Sequence, residues 1–288
     1  MKFWQFLRFT AAGELIELAK AIERTPIYGI MLGDHVIFPE KIESQYAYSS
    51  DGTLLWDAET PWPDPFSSIA AMAAVTERIH FSTNVLILPL RHPVEVARTT
   101  ATLSQLSRGR YALGAGVGWM EEEFQTLGID FSTRGKRYDE MIDVIELLWT
   151  GEMVEYHGEH FDFPRSTLNP RPYSRIPIYL GGGSNVAMRR AASRADGWIT
   201  GNFTAESIAS ILATLRRFVR DAGRDPDTFE VIASCHADVD LYKRLEDLGV
   251  QTIVDLPSRR RIGPRASVQE KVDYINYIAD TYIAAMAP

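Results

Sequence analysis

Apolar positions in this chain recur with two alternating periods, one short and strand-like, the other helical. Lys2 to Phe9 is a short apolar, β-rich stretch, and Glu14 to Arg24 repeats its apolar residues at helical spacing. Ile27 to Leu32, Phe66 to Thr76 and Ile79 to Ile87 continue the alternation as strand, helix and strand. Pro93 then opens a helix carrying Val96, Leu103 and Leu106, which Gly109 ends before a strand from Arg110 to Gly114. Arg134 to Trp149 is helical, with Met141, Ile142, Ile145 and Leu148 along one face and Gly151 as its terminator.

The second half repeats the theme. Strands are expected at Ile178 to Leu180, Gly197 to Thr200, Phe229 to Ser234 and Val250 to Asp255. Helices are expected at Asn185 to Ala195, Ala205 to Ala222, Asp240 to Leu248 and Val268 to Met286. Eight strand-helix units over 288 residues average about 36 residues each, which suits an α/β fold of the (β/α)₈ TIM-like barrel kind better than a small doubly wound sheet. No linker, low-complexity segment or strong internal repeat divides the chain, so residues 1–288 read as a single domain.

Two insertions interrupt the rhythm. Val36 to Pro65, after the second strand, is too long for an ordinary connection and carries Tyr46, Tyr48, Trp56 and Trp62, which suggests an ordered lid. Val154 to Phe163, after the fourth helix, has a central Gly158 and reads as a hairpin, followed by a proline-rich connector from Pro164 to Pro177.

Composition narrows the function classes. A hydrophobic content of 45% is ample for a large core. A net charge of −8 argues against a nucleic-acid partner, and the one basic run, Arg259-Arg260-Arg261 with Arg265, is short enough to be a solvated loop. Cys235 is the only cysteine, which excludes an intramolecular disulfide, and its apolar neighbours suggest a buried, inert thiol. No apolar run of about 18 residues and no leader pattern is present, so a cytoplasmic protein without membrane partners is expected.

Candidate chemistry lies where barrels carry it, at the carboxyl ends of strands. Gly33-Asp34-His35 closes the second strand, and a histidine there can exchange a proton near neutral pH, although a lone histidine is as often structural. Gly114-Ala115-Gly116-Val117-Gly118 removes alternate side chains, which lets a flat ring lie against backbone or simply permits close packing. Gly181-Gly182-Gly183-Ser184-Asn185 opens a helix, so its free N–H groups and the helix dipole suit a phosphate, with Ser184 as cap or ligand. His157 and His160 lack a third ligand of metal-site spacing and read as structural, so no metal is expected. GxSxG, HExxH and Walker A patterns are absent.

Read together, GDH at 33–35, LPLRHP at 88–93, GVGWMEEEF at 116–124 and DGW at 196–198 resemble the luciferase-like monooxygenase and hydride-transferase superfamily. The resemblance is strongest to its branch using the deazaflavin coenzyme F₄₂₀. It implies that Asp34 contacts the deazaflavin and His35 lies by its reactive carbon. It also implies a non-proline cis peptide at Asn84-Val85 behind the ring, contacts from Gly116, Val117 and Gly118, and a cofactor phosphate at Gly182, Gly183 and Ser184. In sugar-phosphate dehydrogenases of that branch a catalytic Glu stands where this chain has Trp119. The departure argues against a sugar phosphate and places Trp119, with Tyr46 and Trp56, against the substrate. Glu121, Glu122 and Glu123 then read as solvated first-turn residues.

The function implied is F₄₂₀-dependent hydride transfer to or from a small organic substrate. FMN with a separate flavin reductase, giving a monooxygenase, is the alternative, and a non-catalytic flavin-binding protein is a third. A homodimer is usual in the family. The arginine loop at 259–261 is a candidate for the coenzyme's acidic tail, and Arg91-His92 for its ring edge, although an exposed loop suits that pair equally well.

Overall fold

The two periods build a parallel barrel wrapped by helices. The computed structural model describes residues 1–46, 49, 52–201, 203–256, 262 and 266–286. Tyr48 and the arginines at 259–261 and 265 lie outside the described residues. Strands β1 (Lys2–Phe6), β2 (Gly29–Leu32), β3 (His80–Thr83), β4 (Leu86–Ile87) and β5 (Leu113–Gly116) form one half of the barrel. The hairpin β6 (Val154–His157) and β7 (Asp162–Ser166) stands apart, and β8 (Ile178–Gly181), β9 (Gly197–Ile199), β10 (Glu230–Cys235) and β11 (Thr252–Asp255) complete the ring.

Helices alternate with these strands. They are α1 (Leu15–Glu23), α2 (Pro65–Ala73), α3 (Pro93–Leu106), α4 (Glu121–Thr126), α5 (Arg134–Trp149), α6 (Asn185–Arg194), α7 (Ile208–Asp221), α8 (Val239–Asp247) and α9 (Val268–Tyr277). Their starts follow the sequence chemistry: Asp64 caps α2 ahead of Pro65, and Ser267 and Glu270 make a reciprocal capping box on α9. On α1 the buried residues Leu15, Leu18, Ala19 and Ile22 follow the 3.6-residue period and face the sheet. Among the described residues no helix is long and apolar enough to cross a membrane.

The ring runs β3-β2-β1-β11-β10-β9-β8-β5-β4, all parallel. β3 and β4 are two pieces of the third stave, so nine segments make eight staves, as the count of units predicted. Closure occurs where the third stave meets the fourth. Phe81 bridges to Tyr111, and further on Leu86 pairs with Ala115. From 81 to 86 is five steps and from 111 to 115 is four, so the third stave carries one extra residue, a bulge, at Thr83-Asn84-Val85. The Asn84–Val85 peptide bond within it is cis.

The bulge explains the glycines beside it. A Cβ on Gly114 would lie 1.8 Å from the Thr83 carbonyl oxygen, and one on Gly116 would lie 2.5 Å from a Val85 methyl. On the other flank, a Cβ on Gly181 would lie 2.8 Å from the second Val85 methyl. Val85 thus packs against the barrel's interior cluster, which includes Trp4, Phe6, Met31, Tyr179 and Ile232. β5 starts at Leu113 and ends at Gly116, two residues beyond the Arg110 to Gly114 strand read from sequence, because the alternate glycines carry no apolar side chain to signal a strand. Other departures are a break within one strand, the short added helix α4 and shifts at element ends. The expected single strand Ile79 to Ile87 is broken by the bulge, β7 takes up the start of the proline connector, and α9 ends in a π-helical turn from Ile278 to Ile283.

The amino-terminal end of the barrel is plugged by polar and aromatic packing. His80 stacks on Tyr28 at 4.2 Å between ring centroids, and Glu230 accepts from Lys2 Nζ, Tyr179 Oη and Thr252 Oγ1. Burial, with the Arg110, Lys2 and Arg78 charges added, pushes the His80 imidazole down to about 4. Its unfolded value is near 6.5. The unfolded chain therefore binds more protons between those values, and this contribution to stability is present above pH 6.5 and lost as pH falls towards 4.

His80→Phe keeps the stack and removes the titration. We expect its melting temperature to fall less than that of the native chain between pH 7 and pH 4.5, and equal slopes in thermal melts refute the assignment. Gly114→Ala drives a carbon into the Thr83 carbonyl and should destabilise by about 3 kcal/mol. A denaturant midpoint unchanged from the native chain removes the packing role given to Gly114.

Candidate active site

The carboxyl ends of the staves bring most of the residues singled out from sequence to one face. His35 follows β2, and its ring centroid lies 4.7 Å from Trp56, 4.9 Å from Trp62 and 6.0 Å from Trp119. Tyr46 packs edge-on against Trp56 at 5.1 Å and Trp119 at 5.2 Å. Phe9, from the end of β1, joins Trp56 and Trp62 from below, with its own backbone in the left-handed region at φ 58°. That conformation is unusual for a bulky side chain, and such residues concentrate at functional sites. Tyr46, Trp56 and Trp62, from the described part of the 36–65 segment, therefore form an aromatic cover over His35.

The cover is fastened by the turn that opens α4. Glu122 accepts hydrogen bonds from the backbone N–H of Glu43 at 2.6 Å and of Ser44 at 3.0 Å, while Glu121 N–H donates to Ser44 Oγ at 3.0 Å. Burial raises the Glu122 carboxyl, but hydrogen bonds from its own backbone, Ser44 and Glu43 outweigh it and hold the group below the usual carboxylate range. Glu123 is fully buried; one oxygen accepts Val36 N–H at 2.7 Å and the other lies 3.1 Å from His35 Nδ1. Of the three acids expected to be solvated, only Glu121 is exposed. A run of three Glu gives no periodicity to single one out, and the buried Phe124 immediately after is the one hint that the turn faces inward.

Asp34 is also committed to structure. Its oxygens accept from Arg91 Nη1 at 2.7 Å and Nη2 at 2.8 Å, and from Ile87 N–H at 2.8 Å, tying the end of β2 to the end of β4. Burial pushes the Asp34 carboxyl up, with the guanidinium and these bonds opposing it. Arg91, read from sequence as a loop residue or ring-edge contact, is thus the counter-ion of Asp34. His92 caps α3, its Nδ1 accepting from Val94 N–H at 3.3 Å. Asn84 crosses the mouth of the barrel to β10, donating to Ser234 Oγ at 3.1 Å. Nothing in the sequence linked residues 150 positions apart.

The glycines after β8 meet Gly201, which follows β9. Gly182 takes φ 124° and its carbonyl accepts the Trp198 indole N–H at 2.8 Å. A Cβ on Gly201 would lie 2.8 Å from Gly183 Cα and 2.9 Å from its nitrogen, so the two loops close to a cradle that a side chain would fill. Ser184 caps α6, accepting from Ala187 N–H at 3.1 Å, and Gly183 and Ser184 are exposed. After β5, Val117 is half-buried, and Gly118 has φ 81° where a Cβ would strike Ile87 and Phe124.

Two other sequence readings find their places. Cys235 is buried at the end of β10, and burial pushes its thiol up to about 12. His157 pairs with Asp162 across the hairpin at 2.7 Å. His160 lies close to Glu140 and Glu159, but the Glu140 carboxylate accepts the backbone N–H groups of residues 159, 160 and 161 and anchors the hairpin turn to α5.

Known proteins similar to this chain identify its family. An uncharacterised protein of Mycobacterium tuberculosis is 36% identical over 272 residues, spanning 93% of this chain and 94% of that protein. The F₄₂₀-dependent glucose-6-phosphate dehydrogenase of Nakamurella multipartita is 30% identical over 258 residues, spanning 87% of this chain and 71% of the dehydrogenase. The crystal structure of the monooxygenase RslO1 from Streptomyces bottropensis has the same fold, with a TM-score of 0.80 at 19% identity over 100% of both chains. The model of the luciferase-like monooxygenase family matches residues 5–241, and the chain belongs to that family of oxidoreductases.

Proposed function

We propose that the protein is a coenzyme F₄₂₀-dependent oxidoreductase acting on a neutral, apolar organic substrate, with His35 as its proton-transfer residue. The observation that carries the reading is His35 itself, held at a strand end inside an enclosure of Trp56, Trp62 and Trp119 above the Val85 bulge. Bound deazaflavin would supply hydride donation or acceptance. The chain's residues suit it: Val85 with Gly116 would form the floor beneath a flat ring, and Gly182, Gly183 and Ser184, in the cradle closed by Gly201, would receive a phosphate at the start of α6. The 30% identical relative named as F₄₂₀-dependent supports this cofactor.

That relative's sugar phosphate is a poorer match. Trp119 occupies the place of the dehydrogenases' catalytic Glu and packs against Tyr46 and Trp56, and the nearby Arg91 is bound by Asp34. Such an enclosure favours flat apolar groups and excludes water around the reacting atoms. Glu122 would act as the catch of the lid.

Titrating the apo-protein with F₄₂₀ and with FMN, each oxidised and reduced, tests the cofactor through its fluorescence. Tight F₄₂₀ and weak FMN binding is the expected result, whereas preference for reduced FMN turns the reading into a monooxygenase that needs a flavin reductase. With enones, imines and ketones as test substrates, His35→Gln should lower kcat by about 10²–10⁴-fold and leave F₄₂₀ affinity nearly unchanged. Loss of affinity with kcat retained places His35 in cofactor binding alone and refutes the proton-transfer role. Glu122→Ala should speed amide hydrogen exchange at Glu43 and Ser44; unchanged protection there means the lid is held by its rings alone.

A further inference from the structure

We propose that Glu123 is a positioning residue that fixes His35 as the tautomer protonated at Nδ1, so that Nε2 is the atom presented beneath the aromatic lid. An ionised carboxylate has acceptors only, so a contact of 3.1 Å between Glu123 Oε2 and His35 Nδ1 places the proton on that nitrogen. The carboxylate is not free to turn away, because its other oxygen accepts Val36 N–H at 2.7 Å and the side chain has no exposure to water. The imidazole is held as firmly: its side chain is 9% exposed and lies between Trp56 and Trp62. Turning the ring over would leave Glu123 Oε2 buried without a donor, the costly state for a charged oxygen.

In the neutral state Nε2 is then a hydrogen-bond acceptor, and the group that meets it is an O–H or N–H donor. On protonation the imidazolium keeps its carboxylate partner and gains a donor at Nε2, so one arrangement serves proton removal and proton delivery. This use of the tautomer rests on the proton-transfer role proposed for His35. The tautomer itself is a property of the free protein.

The test uses the full chain labelled with ¹⁵N-histidine, without cofactor, at pH 7.5, in long-range ¹H–¹⁵N spectra where His35 is assigned by its absence from His35→Gln. We expect the Nδ1-protonated pattern, opposite to the tautomer that free histidine favours. In Glu123→Gln the amide oxygen can still accept from Val36 while its NH₂ donates to Nδ1, so the pattern should invert to protonation at Nε2. An Nε2-protonated His35 in the native chain, or an unchanged pattern in Glu123→Gln, overturns the proposal. If Glu123→Gln does not fold, the native spectrum alone decides. The F₄₂₀ and FMN titrations report separately: absence of binding to both removes the proposed function and leaves the tautomer result standing.

Discussion

Closure of the barrel between its third and fourth staves is the constraint on which the rest depends. One stave carries an extra residue there, so the ring closes only if its neighbours make room for Thr83 and Val85. Gly114, Gly116 and Gly181 are that room. Their approach distances, 1.8 to 2.8 Å for an added Cβ, are too short for repacking to relieve where the obstacle is backbone. Once closed, the barrel aims His35, the Val85 floor and the α6 cradle at one face, and the Asn84 to Ser234 bond ties that face across its diameter.

Above the floor, three consecutive acids at the start of α4 do three jobs set by their orientation. Glu121 faces solvent, Glu122 holds the middle of the lid, and Glu123 holds both the root of the lid and the imidazole. The lid and His35 are therefore mechanically linked through a single helical turn.

Much of this was legible in the sequence, and the limit has a physical cause. Eight strand-helix units and the long insertion at 36–65 follow from periodicity and loop length, because burial on one face imposes a period that survives in the residues. Gly33-Asp34-His35 and the α6 glycines stood out because their chemistry is local. Pairs such as Asn84 with Ser234, Asp34 with Arg91 and Glu123 with His35 join residues 57 to 150 positions apart, and a one-dimensional pattern holds no trace of which acid meets which base. The same holds for Gly114 and Gly116. They read equally as a bed for a flat ring and as a close-packing device, and the contact that the fold imposes on them is with the neighbouring strand.

That contact divides the site into a part that can change and a part that cannot. Val85, proposed as the floor of the site, is also the residue whose fit with Gly116 and Gly181 lets three staves meet, so its side chain cannot be enlarged without disturbing the barrel. Trp56 and Trp62, by contrast, sit on a segment outside the strands, fastened by Glu122 and Glu123 and by ring contacts with Phe9, His35 and Trp119. On the proposed function, a change of substrate range falls to the cover and to Trp119, which pack in one cluster and leave the fit of Val85 with its neighbouring glycines intact.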